Sequence, residues 1–132
     1  MVCVGIDVAK DKHDCCILDS DGMVRADCFT IPNNMDGFKQ LLQTIRNCTK
    51  KSDKIKVGLE ATGHYSYNIL RFLLDNDLAV YVMNPLHTNL YRKSLSLRKT
   101  KTDRVDARTI ATMLLSDVDL KSYTDTAYHN EE

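Results

Sequence analysis

The sequence predicts a single α/β domain with a mixed five-stranded sheet, and three observations carry that prediction. Residues 2–31 hold three β-branched or apolar runs of strand length, with a turn signal between the second and third. Two further strand-like runs each follow a segment of helical periodicity, an alternation that calls for right-handed parallel crossovers. The third is size: 132 residues leave room for one core, and 43% apolar with 27% charged residues is the composition of a folded globular protein.

Taken in order, VCVGIDV at 2–8, HDCCILD at 13–19 and MVRADCFTI at 23–31 read as a meander, with Ser20-Asp21-Gly22 as a hairpin turn. Pro32-Asn33-Asn34 then breaks the strand and supplies an N-cap for a helix near 35–48, whose Phe38, Leu41, Leu42 and Ile45 recur at helical spacing and cover one sheet face. A fourth strand, KIKVGLE at 54–60, precedes a helix near 64–76 capped by Thr62, with Ile69, Leu70, Leu73 and Leu74 apolar. LAVYVM at 78–83 is a fifth strand stopped by Asn84-Pro85. A last helix near 103–116 lines up Ala107, Ile110, Ala111, Leu114 and Leu115 for packing against the sheet. Strands 1 to 3 are antiparallel, while 4 and 5 run parallel to 1. The order β-β-β-α-β-α-β-α is that of the ribonuclease H-like fold. The domain spans 1–116, and 117–132 reads as the start of a linker or helical segment.

No apolar run approaches the roughly 20 residues that span a bilayer. The opening MVCVGIDVAKDK sets an aspartate where a secretory signal carries its apolar core, so a cytoplasmic protein with no membrane partner is expected. Cysteines at 3, 15, 16, 28 and 48 are odd in number and lack a C-x-x-C pair, which suits reduced packing thiols rather than a disulfide framework or a zinc site. His13, His64, His87 and His129 have no metal-ligand spacing and read as surface or structural residues; none of the seven serines is paired with a local base.

Four acids stand out by position: Asp7 near the end of strand 1, Glu60 at the end of strand 4, and Asp103 with Asp106 opening the last helix. Ligands of an open α/β sheet gather beyond the carboxyl ends of its parallel strands, so Asp7 and Glu60 are expected to be neighbours there. The i, i+3 spacing puts Asp103 and Asp106 on one helical face. Four converging carboxylates repel unless cations lie between them, and hard oxygen ligands suit Mg²⁺ or Mn²⁺. The chemistry implied is two-metal phosphoryl transfer. Taken singly, Asp7 also reads as a turn acid and Asp103 with Asp106 as a helix-capping pair, whereas Glu60 on an otherwise apolar strand is less easily dismissed, because a buried unpaired carboxylate is costly.

The formal charge is zero, 18 basic against 18 acidic residues, which at first argues against a polyanionic partner. The zero conceals unequal parts: −1 over residues 1–91, +5 over 92–108 and −4 over 109–132. Arg92, Lys93, Arg98, Lys99, Lys101, Arg104 and Arg108 are candidate phosphate contacts, with Tyr91 able to stack a base. Charge alone equally allows a solvated helix face.

GIDVAKDKHD at 5–14, GLEATGHY at 58–65, NPLHT at 84–88 and RKTKTDRVDARTIA at 98–111 together resemble the N-terminal RuvC-like domain of the DEDD insertion-sequence transposases, the Piv-related family that includes recombinases guided by a bridge RNA. The family's acidic tetrad falls on Asp7, Glu60, Asp103 and Asp106. The resemblance implies DNA binding, transposition and recombination, a guide RNA as a further partner, and a homo-oligomer, dimer or tetramer, in a bacterial or archaeal cell. It also implies a second, C-terminal domain with a serine nucleophile. No residue here matches that serine, so the chain is expected to be a truncated piece that binds metal and nucleic acid without completing strand exchange. Competing readings are a non-catalytic nucleic-acid-binding or oligomerisation module, a RuvC-type junction nuclease, and an actin-like sugar kinase fragment; the last fits poorly, because Val8-Ala9-Lys10-Asp11 replaces the usual Gly and Thr of the phosphate loop.

Overall fold

The computed structural model describes residues 1–60, 63–84, 86, 88, 90 and 107–116. Five strands, β1 (Val2–Asp7), β2 (Lys12–Asp19), β3 (Val24–Pro32), β4 (Ile55–Glu60) and β5 (Ala79–Met83), form one sheet in the order β3-β2-β1-β4-β5. β2 is antiparallel to β1 and β3, while β4 is parallel to both β1 and β5. The predicted topology is thus the observed one. Asp19 organises the β2–β3 turn: its carboxylate accepts from the amides of Asp21 (2.9 Å) and Met23 (3.0 Å), and Gly22 takes the left-handed conformation that closes it.

Helix α1 (Met35–Cys48) begins at Asn34, whose side chain accepts from the Gly37 amide at 2.9 Å, as the breaker sequence predicts. The next helix starts later than expected. Gly63–Ser66 form a 3₁₀ turn and α2 spans only Tyr67–Asp75. Gly63 sits at φ +59, a left-handed conformation, and the tighter 3₁₀ turn that follows it delays the α-helical hydrogen-bond ladder to Tyr67. The expected cap, Thr62, lies outside the described residues; Ser66 occupies the N-cap position, and its hydroxyl donates back to the Gly63 carbonyl at 3.3 Å instead of capping the helix. The last helix, α3, spans Ala107–Ser116, and residues 103–106 of its predicted range are not among those described.

The two sheet faces are covered by different helices. Val2, Val4, Ile6, Val57, Leu59 and Val80 pack with Phe38, Leu41 and Ile45 of α1 and with Ile69, Leu70 and Leu73 of α2. The opposite face carries α3 alone among the described helices: Ile110, Met113 and Leu114 pack on Cys3 and Met83, and Ala107 and Ala111 on Cys16 and Leu18. A glycine pair lets α3 come that close. Gly5 and Gly58 are register partners on β1 and β4, and a Cβ on Gly5 would stand 2.0 Å from the Ala107 carbonyl oxygen. On Gly58 it would meet the Leu114 side chain at 2.8 Å. Cys3, Cys15 and Cys16 are buried packing residues, and burial raises the thiol pKa of Cys3 and Cys15. Among the described residues, no helix is long and apolar enough to cross a membrane.

Candidate metal centre at the carboxyl ends of the parallel strands

Strand alternation decides where the two described candidate carboxylates go. Side chains on β1 alternate faces, so Asp7 follows Cys3 and Gly5 onto the α3 side, and Glu60 follows Gly58 onto the same side. The β1–β4 register runs through Gly5↔Gly58 and Ile6↔Leu59, and each strand ends one residue later, at Asp7 and at Glu60. Adjacent strands lie about 4.8 Å apart, so the two half-buried carboxylates stand side by side at the carboxyl ends of parallel strands. They form a step just past the glycine pair on which the helix rests.

Glu60 is further tied down from β5. Its register partner is Met83, and Asn84 next in the chain starts a helical turn: its side chain accepts from the Leu86 amide at 2.8 Å and its carbonyl from the Thr88 amide at 3.1 Å. That turn carries Thr88, fully buried, to Glu60, where the hydroxyl donates to carboxylate Oε2. On the other flank, Asp14 of β2 is the register partner of Asp7 and accepts from the Thr30 hydroxyl at 2.7 Å.

The loop after Asp7 is pinned beneath the site. His13 is buried against Phe38, with ring centroids 6.3 Å apart, and its Nδ1 accepts from the Ala9 amide at 3.2 Å. Asn33 donates to the Lys10 carbonyl at 2.9 Å through its side chain and to the Asp11 carbonyl at 3.0 Å through its amide. Burial lowers the His13 pKa, an effect offset in part by Asn33 and by the carboxylates of Asp7 and Asp14. A neutral ring suits an Nδ1 that must accept a hydrogen bond.

The family model of the IS110-type DEDD transposases matches residues 4–132. The chain belongs to this transposase family. Two curated relatives, pilin gene-inverting proteins of Moraxella bovis and Moraxella lacunata, are each 33% identical to it over 108 residues, 82% of this chain and 32% of theirs. The chain therefore spans about a third of the length of the curated relatives it matches. Among solved structures, Thermus thermophilus RuvC in complex with a Holliday junction substrate superposes with a TM-score of 0.59 at 13% identity, covering 93% of this chain and 99% of RuvC. A second structure of the same RuvC gives 0.58 at 14% identity, with coverage of 93% and 100%. The likeness establishes the RuvC-like, ribonuclease H-like fold predicted from strand order.

Of the transposase tetrad predicted from sequence, Asp7 and Glu60 are brought together, whereas Asp103 and Asp106 lie outside the described residues. Among the described residues, no three His, Cys, Asp or Glu side chains stand close enough to hold a metal ion. Of the seven basic candidates, Arg108 is exposed on the first turn of α3; Arg92, Lys93, Arg98, Lys99, Lys101 and Arg104, with Tyr91, are not among the described residues. His64 is exposed against Tyr65, with centroids 4.5 Å apart. Sequence reasoning missed Thr88 and Asp14. For Asp14 the signal was available, because a tight β1–β2 hairpin sets residue 14 opposite residue 7. For Thr88 it was only partial: Asn84 marks a turn start, but not what the turn touches.

Proposed function

We propose that this domain carries out metal-dependent phosphoryl transfer on DNA within a transposase, with Asp7, Glu60, Asp103 and Asp106 holding Mg²⁺ or Mn²⁺. One observation carries the reading: Asp7 and Glu60 end neighbouring parallel strands on the face that α3 covers, and α3 begins over Gly5 with Ala107, the residue bonded to Asp106. The donor set fits such ions, because carboxylates are hard oxygen ligands and the Glu60 carboxylate is already oriented by a buried hydroxyl. Bound there, the ions supply activation of the attacking oxygen and stabilisation of the leaving oxygen in an in-line displacement at phosphorus.

The chain's own contributions are distinct. Asp7 and Glu60 present carboxylate oxygens from rigid strand ends, which need little reorganisation on binding. The basic residues of 92–108, ending in Arg108, bind phosphates and fix the position of the strand without reading its bases. Target choice then falls to a guide RNA or to contacts other than these phosphate contacts, within a homo-oligomer.

The test is Mn²⁺ titration of the chain, followed by electron paramagnetic resonance, with recombination of a plasmid substrate scored in the full-length protein. Asp7→Asn, Glu60→Gln and Asp106→Asn are each expected to weaken Mn²⁺ binding and abolish recombination. Unchanged Mn²⁺ affinity together with intact recombination in these variants would sink the site assignment. Loss of neither, with salt-sensitive DNA binding retained, would reduce the domain to a binding module.

A further inference from the structure

We infer that Thr88 is a positioning residue for Glu60, fixing the carboxylate so that its remaining lone pairs face a divalent cation; the inference rests on the metal-site reading above. The two residues lie 28 apart in sequence and meet only because β5 pairs with β4 and turns immediately after Met83. Asn84 sets the geometry of that turn through both its side chain and its carbonyl, the latter accepting from the amide of Thr88 itself. Thr88 is wholly shielded from solvent, yet Leu86 and Leu90, two residues to either side, are 73% and 65% exposed. Leu86 and Leu90 thus face outward while Thr88 between them faces inward, the reverse of what core packing would select.

A buried hydroxyl needs a partner, and this one is a half-buried carboxylate at a strand end. Donation to Oε2 occupies one of about four acceptor sites on the carboxylate. The branched Cβ of threonine restricts χ1, so the hydroxyl holds one direction more firmly than that of a serine would. Groups that orient a ligand in this way typically contribute about 10–100-fold to metal affinity.

The experiment titrates Mn²⁺ alone into the 132-residue chain and into Thr88→Val, Thr88→Ser and Glu60→Gln, with circular dichroism to verify folding. Thr88→Val keeps the shape and removes the donor, and is expected to weaken Mn²⁺ binding about 10–100-fold. Thr88→Ser keeps the donor and is expected to stay within about threefold of the parent. If Thr88→Val does not fold, Thr88→Ala is titrated in its place against the same thresholds. A Thr88→Val affinity equal to the parent, while Glu60→Gln loses binding, overturns the inference and leaves the metal site standing. Equal losses in the Ser and Val variants also overturn it, since the hydroxyl would then not be the determinant. If Glu60→Gln binds like the parent, or the parent binds no Mn²⁺, the metal-site reading falls and this inference with it.

Discussion

Replacing Gly5 with alanine tests whether the sheet face that presents Asp7 and Glu60 depends on backbone contact with α3. The added Cβ would stand 2.0 Å from the Ala107 carbonyl oxygen and 2.5 Å from the Ala111 nitrogen, where real Cβ atoms stay beyond 3.0 Å. Both atoms belong to helix backbone, so neither can rotate aside. The helix must retreat by about 1 Å, and a gap of that size forfeits about a quarter to a half of the dispersion well for each contact it opens. Ile110, Met113 and Leu114 are the large side chains α3 buries. At about 1.5–3 kcal/mol each they contribute on the order of 4–9 kcal/mol, so the expected loss is about 1–4 kcal/mol. With a urea slope of about 2 kcal/mol/M, the unfolding midpoint should fall by about 0.5–2 M. Urea titration followed by far-ultraviolet circular dichroism measures this directly. A midpoint within about 0.25 M of the parent, the range of a harmless surface substitution, would refute the close contact of Gly5 with the helix.

Three further outcomes follow from named contacts. Asn34→Ala removes the cap on the Gly37 amide and should cost about 1 kcal/mol, read as a fall of about 0.5 M in the urea midpoint; no change would mean the cap does not support α1. His13 is held below its ordinary value of 6.5 by burial, so the unfolded chain takes up a proton before the folded one does as pH falls. Stability is therefore full above about pH 6.5 and declines below it; His13→Gln should flatten the profile between pH 7.5 and 5.5, and a parent midpoint that holds or rises over that interval contradicts the buried neutral ring. DNA affinity should fall with a log–log salt slope of about −4.5 if about five phosphates are neutralised, and Arg108→Gln should make the slope shallower by about 0.9. A flat salt response removes residues 92–108 from the interface.

Strand and helix placement was legible in local pattern wherever period and punctuation agreed. The Asn34 cap, the Ser20–Gly22 turn and the apolar stripe of α1 need only neighbours in sequence, and each is legible from them. The α2 start differs because Gly63–Ser66 take a 3₁₀ turn, and hydropathy period does not distinguish that first turn from an α-helical one. His13 had no signature of burial either: its ring is covered by Phe38, 25 residues onward, after the chain has crossed β3.

By itself, the sequence determined the mixed sheet, the family, and the two strand ends that carry Asp7 and Glu60, because alternation and chain direction set strand faces and ends regardless of what packs above them. Only tertiary structure decided how those ends are used. It is the β1–β4 register that aligns Gly5 with Gly58, the glycine pair that admits α3 to the same face, and the β5 turn that seats Thr88 on Glu60. Each of these joins segments distant in sequence, and such contacts form only when the sheet has closed and excluded water from both partners.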